Sequence, residues 1–213
     1  DYRGGGTIEI VNLGEVHWAE PPERDEAGSP NVVGAGALAA SIQVLSQVGM
    51  EALAAHEREL TGYALRRLKE VEGVRVYGSS DPEQLDDRLG VISFEVDGVP
   101  HGKVAAILGF EGGIGVRNGC FCAQPYVREL LGISEEEMRS VIARLARGDH
   151  ATVPGMVRMS FGLYNTLDEI DYAVEALEAV LTDGPKAEYV LDPEHLDYVP
   201  TCPVVSLDDF LPI

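Results

Sequence analysis

Basic side chains are few in this chain, 16 against 36 acidic ones, which leaves a formal net charge of -20. Such a field repels a phosphate backbone or an anionic bilayer surface, so nucleic acid and membrane are excluded as expected partners. Cysteine is scarce as well, at 120, 122 and 202 only. That is too few for a disulfide scaffold, and the three are read as thiols of a reducing compartment. Long apolar runs are missing: none approaches the roughly 20 residues that cross a bilayer. The N-terminus has no basic segment followed by an apolar one, so no secretory signal is visible and the cytoplasm is the expected location. Internal repeats and low-complexity blocks are also absent. The chain starts at Asp1 rather than Met, which suggests a fragment or a processed product.

What is present suits a folded core, with 45% hydrophobic and 24% charged residues. Thr7 to Val11 is β-prone between Gly4-Gly5-Gly6 and Pro21-Pro22. Val32 to Val48 has helical spacing, with Asn31 as N-cap and Gly49 as terminator. A second helix is expected from about Met50 to Val71, with Leu53, Leu60, Ala64, Leu68 and Val71 on one face. Strands are expected at 74–77, 90–96, 114–117 and 157–161, and helices at 101–108, 127–131 and 167–181. The expected organisation is residues 1–49 as the end of a larger domain, 50–72 as a linking helix, 73–182 as a small α+β domain and 183–213 as an acidic, proline-containing tail. The tail shows no period and either wraps the surface or is mobile. The fold class is mixed α/β, a small sheet covered by helices.

Three segments could carry chemistry. They are Glu26 to Asn31, Gly115 to Pro125 and Val157 to Thr166, each combining a cation, thiol or hydroxyl with glycines that admit a ligand to the backbone. Cys122 lies in a glycine-bounded loop after Arg117, whose charge favours a thiolate, as a nucleophile requires. The competing reading is a small buried residue. Cys120 and Cys122 would share a face in an extended stretch and could bind a soft metal, but the spacing is short for zinc and no second ligand pair is visible, so no metal is expected. Arg117 and Arg158 are placed at strand ends, where a guanidinium fork can hold a carboxylate, although a surface ion pair is the ordinary role of a lone arginine. Ser29 with Gly28, before the first helix, could face a phosphate, and is also an ordinary turn. His17 and His56 are read as structural.

The order Gly4-Gly5-Gly6, Ala27-Gly28-Ser29-Pro30-Asn31, His56-Glu57, Gly90 to Phe94, Val116-Arg117-x-Gly119-x-x-Cys122-Ala123-Gln124-Pro125, then Arg158-x-Ser160 and Tyr164-Asn165-Thr166 resembles the C-terminal part of class V, fold-type I pyridoxal phosphate enzymes. The likeness is strongest to cysteine desulfurases and selenocysteine lyases. It implies that Cys122 takes sulfur from a cofactor-bound cysteine as a persulfide, giving alanine. It also implies that Arg158 holds the substrate carboxylate with Arg117 as a second active-site arginine, and that Ser29 and Gly28 reach the cofactor phosphate of a neighbouring subunit in a homodimer, with a sulfur-acceptor protein as a further partner. Cys120-Phe121 stand where desulfurases carry histidines, and this loop is also similar to that of molybdenum cofactor sulfurases. The cofactor lysine of the family lies upstream of Gly4, and Lys69, Lys103 and Lys186 do not occupy its motif. Residues 1–213 alone are therefore expected to be inactive. Another class V activity with a dispensable Cys122, or a non-catalytic dimerisation module, are the alternatives.

Overall fold

The computed structural model describes residues 4–86, 88–149 and 153–202, so residues 203–213 of the expected tail lie outside the described residues. The chain divides into two compact units, Asp1–Ala52 and Leu53–Ile213.

In the first unit β1 (Ile8–Val11) and β2 (Val16–Trp18) form an antiparallel hairpin. Asn12 closes it by accepting from the amides of Gly14 and Glu15, each at 2.9 Å, the side-chain mimic of a backbone turn. Gly28 donates its amide to Gly5 O at 2.9 Å, and a Cβ at Gly4 would lie 2.9 Å from that of Ala27. The Gly4-Gly5-Gly6 run is thus packed against the segment that carries Ser29. Helix α1 (Val32–Val48) runs as expected, with the Asn31 side chain accepting from Gly34 N at 2.8 Å and Gly49 ending it at φ 96°.

The second unit is built on a four-stranded sheet of β3 (Val74–Tyr77), β4 (Val91–Val96), β5 (Arg117–Gly119) and β6 (Met156–Ser160), in the order β3-β4-β6-β5. Every pairing is antiparallel. Residues directly opposite one another share a face, so the register defines two faces. One carries the row Val76, Phe94, Val157 and Asn118; the other carries Tyr77, Ser93, Arg158 and Arg117. The apolar face is covered by α2 (Met50–Glu70), α3 (His101–Gly112) and α6 (Leu167–Thr182), and Leu60, Leu65, Leu68, Phe94, Val104, Leu108, Val157 and Leu177 are all but inaccessible within it. Of the face expected for the second helix, Leu60, Ala64, Leu68 and Val71 are buried, joined by Leu65, while Leu53 is only half-buried.

Differences from expectation are local. The strand expected at 114–117 is β5 at Arg117–Gly119 instead. The α3 helix runs on to Gly112, and Gly113 in the left-handed region (φ 64°) ends it, which keeps Ile114 to Val116 outside the ladder. Between α4 (Gln124–Leu130) and β6 lies α5 (Glu135–Leu145), an element absent from the expectation although Met138, Val141, Ile142 and Leu145 stand at helical spacing on it; of these only Val141 is buried. Its start is nevertheless written as a capping box, Ser134 accepting from Glu137 N while Glu137 accepts from Ser134 N. The tail forms a hairpin of β7 (Tyr189–Leu191) and β8 (Tyr198–Pro200) against α3, anchored by Tyr189 on Ile107 and Val180 and by its hydroxyl donating to Glu111 at 3.1 Å.

Candidate active site

Strand β5 delivers the thiol loop. After Gly119, Ala123 N donates to Cys120 O at 2.8 Å and closes a turn whose two central residues, Phe121 and Cys122, have φ of 54° and 60°. Consecutive positive φ values are the signature of a primed turn, normally built from glycine or asparagine. For side chains of this size each costs on the order of 1 to 3 kcal/mol, and such strain persists where the surroundings impose it.

The turn separates the two thiols. Cys122 is exposed at its tip, whereas Cys120 is half-buried and donates to Pro154 O at 3.1 Å. Burial pushes the Cys120 thiol up, towards its protonated form. The expectation that the pair shares a face holds only for an extended strand, and the turn removes that premise of a metal site. Among the described residues no group of His, Cys, Asp and Glu is arranged to hold a metal ion. Cys122 is the accessible thiol of the two.

Arg117 and Arg158 face each other across the β5–β6 ladder, and like charges directly opposite on one sheet face repel. The Arg158 guanidinium stands 5.2 Å from the centroid of the Phe121 ring, and its Nε is buried with no hydrogen-bond partner among the described residues. A buried donor without an acceptor is costly. Arg158 Nε shares this condition with Arg88 Nε and Arg144 Nε, so what distinguishes Arg158 is its place opposite Arg117 on the ladder. The stacking of Arg158 on Phe121, which follows Cys120 directly, joins the arginine-bearing strand to the thiol turn, a contact that the sequence did not reveal.

The Tyr164-Asn165-Thr166 segment mainly starts a helix. Thr166 accepts from Glu169 N, and Asn165 bridges Gly162 N (2.7 Å) and Glu169 (2.9 Å). The Asn165 side chain, then the Thr166 amide, hold the Glu169 carboxyl below its ordinary value. His56 Nε2 lies 3.1 Å from Asn165 O, so it ties α2 to this turn, as its structural reading expects. A cavity of about 360 Å³ lies between Gly115, Ser160, Phe161, Asn165 and Glu169, and does not include Cys122 or either arginine.

In the first unit Ser29 and Gly28 are exposed just before α1, and the first turn of that helix bears no acidic side chain. Gly28 has φ 83° and its amide is already engaged by Gly5, so it shapes the turn there and leaves donation to Ser29.

The family model for aminotransferase class-V matches residues 2–173. The chain belongs to that family. Among curated relatives of this class-V chain, a probable cysteine desulfurase of Halobacterium salinarum is 37% identical over 175 residues, covering 82% of this chain and 36% of its own length. A probable cysteine desulfurase of Halalkalibacterium halodurans is 36% identical with the same coverage. This class-V chain therefore spans little more than a third of the curated relatives that it matches. Of solved structures, the apo cysteine desulfurase of Thermococcus onnurineus NA1 superposes with a TM-score of 0.61 at 35% identity, covering 85% of this chain and 39% of that one. The S-sulfonic acid form of Escherichia coli cysteine desulfurase CsdA gives 0.58 at 27% identity, covering 84% and 38%. The mixed α/β fold is thus that of a portion of these class-V proteins.

Proposed function

We propose that this class-V chain forms the thiol-bearing part of a pyridoxal phosphate-dependent cysteine desulfurase, acting on cysteine or selenocysteine. The observation that carries the reading is the junction of an exposed Cys122, strained at the tip of its turn, with the Arg117–Arg158 pair through Phe121.

Arg158 holds the substrate carboxylate through its guanidinium, and Arg117, its partner across the ladder, supplies the second positive charge. The Cys122 thiolate attacks the substrate sulfur. A sulfur–sulfur bond forms at Cys122, the carbon–sulfur bond breaks with its electron pair left on the carbon, and a proton there completes alanine. Pyridoxal phosphate, when bound, supplies the electron sink for that cleavage. Ser29 is the residue of this chain suited to the cofactor phosphate, since an anion there meets no acidic side chain of the first turn of α1. The persulfide at an exposed tip suits hand-over to a sulfur-acceptor protein. A homodimer and a cytoplasmic location complete the reading, and among the described residues no single helix is long and apolar enough to cross a membrane.

The test is Cys122→Ala in the intact, cofactor-loaded protein supplied with cysteine. Loss of persulfide and of alanine formation, with the cofactor absorbance retained, is the expected outcome. Undiminished sulfur release refutes the assignment of Cys122.

A further inference from the structure

His101 opens α3, and both of its ring nitrogens are engaged. Nδ1 lies 3.1 Å from Asn118 Oδ1, on the strand that leads into the thiol turn, and Nε2 lies 3.0 Å from Val153 O, on the segment that leads into β6 and Arg158. The next carbonyl, Pro154 O, is the acceptor of the Cys120 thiol. A Cβ at buried Gly155 would come within 2.7 Å of both His101 Nε2 and Gly119 Cα, so helix start, β5 and the approach to β6 meet too closely there to admit a side chain at residue 155. The carbonyl of Val153 can only accept, so Nε2 carries a hydrogen. Nδ1 then either accepts from the Asn118 amide, turned over, or donates to its oxygen when the ring is charged, and the bridge stands in both cases.

We propose that His101 is a positioning residue that ties the thiol-bearing strand to the arginine-bearing strand and so imposes the left-handed turn at Phe121 and Cys122. That turn cannot hold itself, because each central residue prefers a negative φ. Its base at Asn118 and Cys120 is pinned to Val153 and Pro154, through the imidazole in one case and alongside it in the other. The link to turnover rests on the desulfurase reading above; the hold on the loop does not.

The experiment compares His101→Leu, which removes both bonds, with His101→Gln, whose amide can still donate to Val153 O, in the full protein that carries this chain. The rate of iodoacetamide labelling is followed at each cysteine by peptide mass, with exposed Cys202 as internal reference. In His101→Leu, Cys120 labels roughly tenfold faster relative to Cys202, the rate equivalent of losing one hydrogen bond, and His101→Gln recovers a large part of the protection. In the cofactor-loaded protein His101→Leu lowers kcat for alanine formation by a similar factor, with KM little changed. Wild-type Cys120 labelling in a folded His101→Leu protein, or equal labelling in the Leu and Gln variants, overturns the proposal, and so does an unchanged kcat. Should His101→Leu fail to fold, Asn118→Ala cuts the bridge from the other side, and unaltered Cys120 labelling there overturns it equally. A Cys122→Ala protein that still forms alanine refutes the desulfurase reading and leaves the labelling result to decide this one.

Discussion

Arg158→Met separates the anion-site reading of this arginine from an ordinary structural role. In the free protein the guanidinium carries a buried Nε without a partner and faces Arg117 across the ladder. The first costs about 1 to 3 kcal/mol and the second about 0.2 to 1 kcal/mol. Against them stands the stack on Phe121, worth about 0.5 to 1 kcal/mol at such a site. Methionine keeps much of the aliphatic packing, so the variant is expected to be more stable than the parent by roughly 1 kcal/mol, the signature of a residue kept for its ligand. Urea unfolding at neutral pH measures this. Adding a small carboxylate such as acetate should then stabilise the parent by about 1.4 kcal/mol at ten times its Kd and leave Arg158→Met unmoved. A variant destabilised by more than about 1 kcal/mol, or one stabilised by the carboxylate as much as the parent, refutes the reasoning.

Other expectations test the scaffold. Phe94 is wholly buried at the centre of the core, so Phe94→Ala is expected to cost about 3 to 5 kcal/mol in urea unfolding. The Ser134 hydroxyl first, and its amide second, hold the Glu137 carboxyl below the ordinary value. A depressed carboxylate contributes stability that is complete above its unfolded pKa and is lost as pH falls through the lower folded one. Ser134→Ala should therefore return Glu137 towards the ordinary glutamate value in an NMR titration and soften the acid limb of the stability profile. A net charge of -20 repels itself, and screening weakens that repulsion. Tm should rise as salt is raised from about 0.05 M to about 0.5 M, and a flat or falling Tm counts against this.

Much of this was legible in the residues. Asn31 and Gly49 bracket α1 because a side-chain acceptor and a positive φ are local requirements. The alternation of Ile92, Phe94 and Val96 marks a strand with one face buried, and all three are buried. The order of thiol, arginine and glycine motifs resembles that of the class-V family, to which the family model assigns residues 2–173. The helix Glu135–Leu145 is missing from the expected elements although the residues carry it, in the spacing of Met138, Val141, Ile142 and Leu145 and in the capping box of Ser134 and Glu137. The strands of the tail hairpin are three residues long, too short for a period to show, and they are held by Tyr189 reaching Glu111 and Ile107.

Where α1, α2, α6 and the strands β3, β4 and β6 run, the sequence largely determined by itself, because caps, periods and side-chain type act within a few residues. Three matters only the tertiary structure decided: that Arg117 meets Arg158, that Phe121 lies beneath a guanidinium, and that Cys122 rather than Cys120 is exposed. The reason is physical. Each depends on the register between β5 and β6, on a turn held in a conformation its own residues disfavour, and on the close meeting of His101, Gly119 and Gly155. All are contacts between segments far apart in the chain, and no local preference encodes them.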